Sequence, residues 1–121
     1  MTQTNGMKLR IGVVGCGNIS LAYMRNAPLF RDVEIVACAD LNADATKRRA
    51  AEFDLRAADV DSLIDDKNID LILNLTIPAA HFDVSMRALS AGKHVFTEKP
   101  LGVTAAEGCR LVDAAAGQGL M

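Results

Sequence analysis

Apolar positions in this chain fall into short, almost unbroken runs separated by polar segments that carry helix signals. The runs are Leu9 to Val14, Val33 to Ala39 (Val-Glu-Ile-Val-Ala-Cys-Ala), Asp70 to Thr76 (Asp-Leu-Ile-Leu-Asn-Leu-Thr) and His94 to Thr97. Runs of this length, bounded by turn formers, predict buried strands, the first of them extending from Lys8. Between them, Asn18 to Ala27 predicts a helix stopped by Pro28. Asn42 can cap a second helix reaching about Phe53. Arg56 to Val60 predicts a short strand and Ser62 to Asp65 a helical turn. Pro78 fits the first turn of a helix running to Ser90, with Gly92 just past its end. Thr104-Ala105-Ala106-Glu107 has the form of a capping box that opens a last helix to about Ala116, with Gly117 supplying a left-handed end.

Strand and helix therefore alternate throughout, and the strands are apolar along their length rather than at every second position. Strands of that kind are covered on both faces. The expected fold is α/β: a Rossmann-type doubly wound parallel sheet of about five strands with helices on both faces. No repeat, low-complexity stretch or linker divides the chain, so residues 1–121 are expected to form one domain with a polar tail at 1–6. A doubly wound dinucleotide fold usually adds a sixth strand after the last helix. Here only Gln118-Gly119-Leu120-Met121 follows. The sixth strand and any second domain are thus expected to be absent, leaving the fifth strand as an exposed edge prone to self-association.

Composition removes several classes of function. With 13 basic against 15 acidic residues the net charge is −2, and aromatic residues make up 4%. Neither a nucleic-acid surface nor an anionic-membrane surface is expected. No apolar run reaches the roughly 18 residues of a membrane helix. Three cysteines, Cys16, Cys38 and Cys109, stand at no metal-ligand spacing, so no metal site is expected. They read as reduced thiols of a cytoplasmic protein. Lys47-Arg48-Arg49 and Asp65-Asp66-Lys67 read as solvated helix faces.

Two short stretches carry the chemistry. Gly15-Cys16-Gly17-Asn18-Ile19-Ser20 follows a predicted strand and opens a helix. A diphosphate seated there needs a sharp turn out of the strand, which Gly15 permits. It also needs close approach to the backbone, which Gly17 permits, and the open amides and positive dipole end of the helix from Asn18. Ser20, in the third position of the fingerprint, is still small. Asp40 ends the second strand 20 positions later, where an acidic residue receives the adenosine ribose hydroxyls. A 2′-phosphate beside Asp40 would meet like charge, so NAD is favoured over NADP; alternatively Asp40 caps the next turn. Cys16, near a helix N-terminus, has a redox reading and a simpler one as a small side chain that fits the turn.

The second stretch is Glu98-Lys99-Pro100, at the end of the fifth strand. Ligands of open α/β sheets bind outside the carboxyl ends of the strands, where Asn74, Thr76 and His81 also fall. Hydride transfer at a carbinol carbon requires a cation or proton donor at oxygen. Lys99 suits that task and Glu98 could hold it. The same pair also reads as an exposed ion pair at a turn, and His81 as a satisfied structural histidine. His94, at the opposite end of its strand, reads as structural.

Taken in order, Gly15-Cys16-Gly17-Asn18-Ile19-Ser20, Ala39-Asp40, Asn74-Leu75-Thr76-Ile77-Pro78 with His81, and Glu98-Lys99-Pro100 resemble the glucose–fructose oxidoreductase / inositol dehydrogenase / rhizopine catabolism family over residues 8–118. The resemblance implies an NAD(P)-binding Rossmann domain, followed in that family by an α/β domain with an open, mostly antiparallel sheet. It implies a nicotinamide-dependent oxidoreductase acting on a sugar, polyol or related alcohol, and a possible homo-oligomer. By the resemblance Gly15, Gly17, Asn18 and Ile19 hold the pyrophosphate and Asp40 the ribose. Thr76, Pro78 and His81 line the cofactor cleft. Glu98 lies at the nicotinamide, and Lys99, the catalytic residue, also reaches the substrate oxygen. A cis Lys99–Pro100 peptide is implied as well. The family's second domain supplies an acid/base histidine and most substrate contacts. This chain is therefore expected to be the cofactor half of a longer enzyme, inactive alone, with its substrate unread. An NAD-dependent glycoside hydrolase of similar fold and a non-catalytic NAD-sensing module are the alternatives.

Overall fold

The structure is a computed structural model that describes residues 8–29, 31–97 and 105–120. Its elements are β1 (Leu9–Val14), α1 (Asn18–Asn26), a 3-10 turn (Ala27–Leu29), β2 (Val33–Ala39), α2 (Ala43–Phe53), β3 (Arg56–Ala57), α3 (Val60–Asp65), β4 (Leu71–Asn74), α4 (Pro78–Ser90), β5 (His94–Thr97) and α5 (Ala105–Gly117). The five strands form one parallel sheet in the order β3-β2-β1-β4-β5. The order reverses between β1 and β4, so connections leave to opposite faces and a crevice opens at the carboxyl ends of those two strands. β5 is an outer strand among the described residues.

Because successive side chains of a strand point to opposite faces, the apolar strands feed two cores. On one face Val14, Ala37, Ala39 and Ile72 pack with Leu63 and Ile64 of α3 and with Val84 and Ala88 of α4. On the other, Val13, Cys38 and Leu73 pack with Met24 of α1 and Ala50 of α2. α5 adds to the first face: Leu111 is buried, and the Arg110 guanidinium lies 5.0 Å over the Phe82 ring of α4. Cys16 and Cys38 are buried and free, while Cys109 is exposed.

The boundaries depart from expectation where a side chain takes over the backbone. β3 ends at Ala57 because Asp59 caps α3, accepting from the Ser62 N–H at 2.8 Å and starting the helix at Val60. β4 ends at Asn74, whose Oδ1 takes the Thr76 N–H and pulls the chain out of the strand. Pro28 ends α1 as expected, yet the chain continues into a 3-10 turn. Gly117 stays helical. The left-handed residue is Gly119 (φ 69°), and the Leu120 N–H returns to the Ala115 carbonyl at 2.8 Å. Alanines 114–116 have high helix propensity and carry the helix past the expected stop. Thr104 of the expected capping box lies outside the described residues, as do Glu98, Lys99 and the Lys99–Pro100 peptide.

Arg49 is the largest departure. Rather than being solvated with Lys47 and Arg48, its side chain is buried beneath the first connection of the sheet.

Candidate cofactor-binding site

Three loops meet at the carboxyl end of the sheet: β1–α1, β2–α2 and β4–α4. The Gly15 N–H donates to Ala39 O, and the Leu75 N–H to Val14 O, each at 2.8 Å. Gly15 has φ 107°, and a Cβ there would lie 2.6 Å from the Leu75 carbonyl group and 2.9 Å from Thr76 N. Both the backbone turn and the approach of the β4–α4 loop therefore require glycine at 15. Gly17 is different. Its φ of −78° and ψ of −166° suit any residue, and a Cβ would meet no protein atom within 4 Å. The fold leaves open the space that a side chain at 17 would fill.

Gly17 is the N-cap of α1 and makes no side-chain cap. The first amides of an α-helix have no intrahelical acceptor, here those of Asn18 and Ile19, while the Ser20 N–H turns back to the Gly17 carbonyl at 3.1 Å. Ser20, fully buried, donates its hydroxyl to the Gly17 carbonyl at 2.6 Å.

Asp40 sits directly beside this turn. Its Oδ2 accepts from the Cys16 N–H at 2.7 Å and its Oδ1 from the Asn42 N–H at 2.8 Å. Asp40 thus caps the turn into α2 and stands at the edge of the glycine loop, with further lone pairs on each oxygen. Cys16 is 3% exposed, with Sγ donating to Ala39 O at 3.5 Å. A hydrogen bond with Cys38 and burial push its thiol well above the usual range. Its burial and its bond to Ala39 O fit the reading of a small side chain that fills the turn.

On the β4–α4 loop, Asn74 is a fully buried hub. Its Nδ2 donates to His81 O at 2.9 Å and to Ser85 Oγ at 2.8 Å, and its Oδ1 accepts from Thr76 N at 3.2 Å and Thr76 Oγ1 at 2.7 Å. This network fixes Thr76 at the crevice and places Pro78 at the start of α4. His81 lies behind the loop, 2% exposed, rather than on its surface. His94 opens β5 at the far end of the sheet, its N–H on Asp70 O. The end of β5 adjoins the hub, with Thr97 Oγ1 donating to Asn74 O at 3.3 Å.

Sequence reasoning missed three participants. Arg49 is one. The others are Leu41 and Ile77, which with Ile19 set one exposed large apolar side chain on the β2–α2 loop, at the N-cap of α4 and in the first turn of α1 (95%, 70% and 48% exposed, respectively). Their signal was an apolar residue immediately following Asp40, Thr76 and Asn18. Among the described residues no group of His, Cys, Asp and Glu could hold a metal, and no helix is long and apolar enough to cross a membrane.

The sequence model of an oxidoreductase family with an NAD-binding Rossmann fold matches residues 9–121. The chain is 37% identical over 112 residues to inositol 2-dehydrogenase of Salmonella typhimurium, covering 89% of this chain and 33% of that protein. Among solved structures it is similar to biliverdin reductase of Synechocystis in complex with biliverdin and NADP+ (TM-score 0.88, 32% identity, 93% of this chain and 36% of that one). It is also similar to a 3-ketoreductase of Actinomadura kijaniata in complex with NADP and TDP-benzene (TM-score 0.87, 30% identity, 94% and 36%). The chain spans about a third of the length of these relatives.

Proposed function

The chain belongs to the oxidoreductase family with an NAD-binding Rossmann fold, the glucose–fructose oxidoreductase / inositol dehydrogenase family, and from that premise we propose that it is the nicotinamide-dinucleotide-binding domain of an enzyme acting on a sugar, polyol or related alcohol. The observation that carries the proposal is Gly17. Neither its backbone angles nor its protein neighbours call for glycine, whereas a diphosphate lying against the α1 amides does. Gly15 shapes the turn, and the Asn18 and Ile19 amides donate to the pyrophosphate oxygens. Asp40 accepts from the adenosine ribose hydroxyls while its bonds to Cys16 and Asn42 hold it in place. Thr76 and Pro78 line the nicotinamide side, and His81 backs them.

The nicotinamide, when bound, gives or takes the hydride. Lys99, supported by Glu98, holds positive charge and a proton at the substrate oxygen, which stabilises a developing alkoxide. The substrate class rests on relatives such as inositol 2-dehydrogenase and the 3-ketoreductase that holds TDP-benzene.

Asp40 favours NAD, because a 2′-phosphate would be held close to its carboxylate. The competing reading, NADP, is favoured by the two solved relatives that hold it. Titration of NADH and NADPH into the chain separates the two. Tighter NADH binding is expected. Equal or tighter NADPH binding overturns the preference, and binding of neither overturns the assignment.

A further inference from the structure

Resting on the dinucleotide reading above, we infer that Arg49, through Ser20, is the positioning residue that aims the pyrophosphate-binding amide of Asn18. The starting point is the Gly17 carbonyl. It accepts from Ser20 N at 3.1 Å, from Ser20 Oγ at 2.6 Å and from Arg49 Nη2 at 3.5 Å. A trans peptide is planar, with the N–H pointing opposite to the C=O. Three donors that hold Gly17 O on the inner side of the turn therefore hold the Asn18 N–H on the outer side, toward the crevice. Asn18 carries the first open amide of α1, so its aim is what an anion at this helix end encounters.

Arg49 can do this because of how α2 places it. Its side chain is only 10% exposed, and the fork of the guanidinium reaches three acceptors. Nε meets Ser20 Oγ at 3.2 Å, Nη2 meets Gly17 O, and Nη1 meets Glu52 Oε1 at 2.5 Å one turn along the same helix. Glu52 balances the buried charge. Ser20 Oγ in turn accepts from Arg49 and donates to Gly17 O, so the serine in place of the usual Gly or Ala of the fingerprint is a relay between α2 and the turn. Arg49 does not itself touch the diphosphate in this arrangement. It acts through a peptide plane, and Lys replaces it only in part, since a single ammonium keeps the charge but lacks the planar fork.

The test titrates NADH, ADP and adenosine into the full chain and into Arg49→Met, Arg49→Lys and Ser20→Ala, with hydrogen exchange of the residue-20 amide, bonded to Gly17 O, measured without ligand. Loss of one charge-assisted contact corresponds to about tenfold, so Arg49→Met is expected to weaken ADP and NADH about tenfold. Adenosine, which has no phosphate, is expected to bind unchanged. Arg49→Lys should recover part of the loss, Ser20→Ala should weaken ADP in the same direction, and exchange of the residue-20 amide, which the Gly17 carbonyl holds, should quicken in all three. Unchanged ADP affinity and unchanged exchange of the residue-20 amide in Ser20→Ala and Arg49→Met overturn the inference, as does an equal loss for adenosine. If Arg49→Met does not fold, Ser20→Ala decides alone, because a buried serine is replaced by a smaller side chain. Failure of the unaltered chain to bind NADH or ADP instead overturns the dinucleotide reading itself, a result visible before any variant is compared.

Discussion

Replacing the two glycines of the first loop one at a time should separate what the fold needs from what the cofactor needs. At Gly15 an alanine would inherit φ 107°, a conformation costing a non-glycine residue roughly 1–3 kcal/mol. Its Cβ would also fall 2.6 Å from the Leu75 carbonyl carbon and oxygen. Those are backbone atoms that cannot swing aside, so the β4–α4 loop must shift, an overpacking cost of about 1–3 kcal/mol. Gly15→Ala is thus expected to destabilise by about 3–5 kcal/mol, a large part of the 5–15 kcal/mol typical of a domain. At Gly17 the same methyl meets no protein atom and the backbone is already in an ordinary region. A gain of about 0.4–1 kcal/mol from restricting the unfolded chain is offset by the poorer capping of alanine. Gly17→Ala should therefore change stability by about 0.5 kcal/mol or less, while blocking the diphosphate and weakening NADH by tenfold or more. Urea unfolding midpoints and NADH titration, read on the same samples, give both numbers. A Gly17→Ala variant that binds NADH normally, or a Gly15→Ala variant as stable as the parent, would refute the reasoning.

Asp40→Ala should narrow the preference for NADH over NADPH, measured by paired titration, because the charge that repels a 2′-phosphate is removed. Asn74→Ala should cost about 2–4 kcal/mol in urea unfolding, since it strands the hydroxyls of Thr76 and Ser85 and the His81 carbonyl around a cavity. Hydrogen bonds from Ser62 hold the Asp59 carboxylate below the usual carboxylate range. Its cap therefore contributes stability above the unfolded value and loses it as pH falls through the lower folded value. Asp59→Ala should lower the melting temperature at neutral pH and reduce the dependence of melting on pH below about 4. Alkylation followed by mass spectrometry should label exposed Cys109 first and leave Cys16 and Cys38 unmodified until the chain unfolds.

The strands and most helices were legible because their causes are local. An unbroken apolar run, a capping Asn42 and Pro78 in a first helical turn each act within a few residues, and β2, α2, α4 and β5 lie where those signals put them. What was not legible depended on competition. Val60 belongs to a helix because Asp59 reaches the Ser62 amide before a strand can extend. The last helix takes in Gly117 because three alanines favour continuing the helix over the stop. In both places two local preferences conflict, and their relative strength is not a property of either residue alone.

The site divides along the same line. Gly15 and Asp40 could be picked out because a turn and a strand end announce themselves in sequence, and the structure brings Gly15 against the β4–α4 loop and Asp40 against the Cys16 amide of the glycine loop. Arg49 could not, since a charged residue beside Lys47 and Arg48 on a helix reads as solvated. Its burial is decided by Ser20, 29 positions away, and by Glu52 on its own helix. Once Ser20 stands in the fingerprint in place of Gly or Ala, a hydroxyl enters the space between α1 and α2. A buried hydroxyl requires hydrogen-bond partners. Gly17 O answers its donor and Arg49 Nε its lone pair. Arg49, drawn inward, requires an anion and finds Glu52. The chain of necessity runs from one small substitution in the phosphate turn to the buried charge of the next helix, and each step follows from satisfying the polar group that the previous step buried.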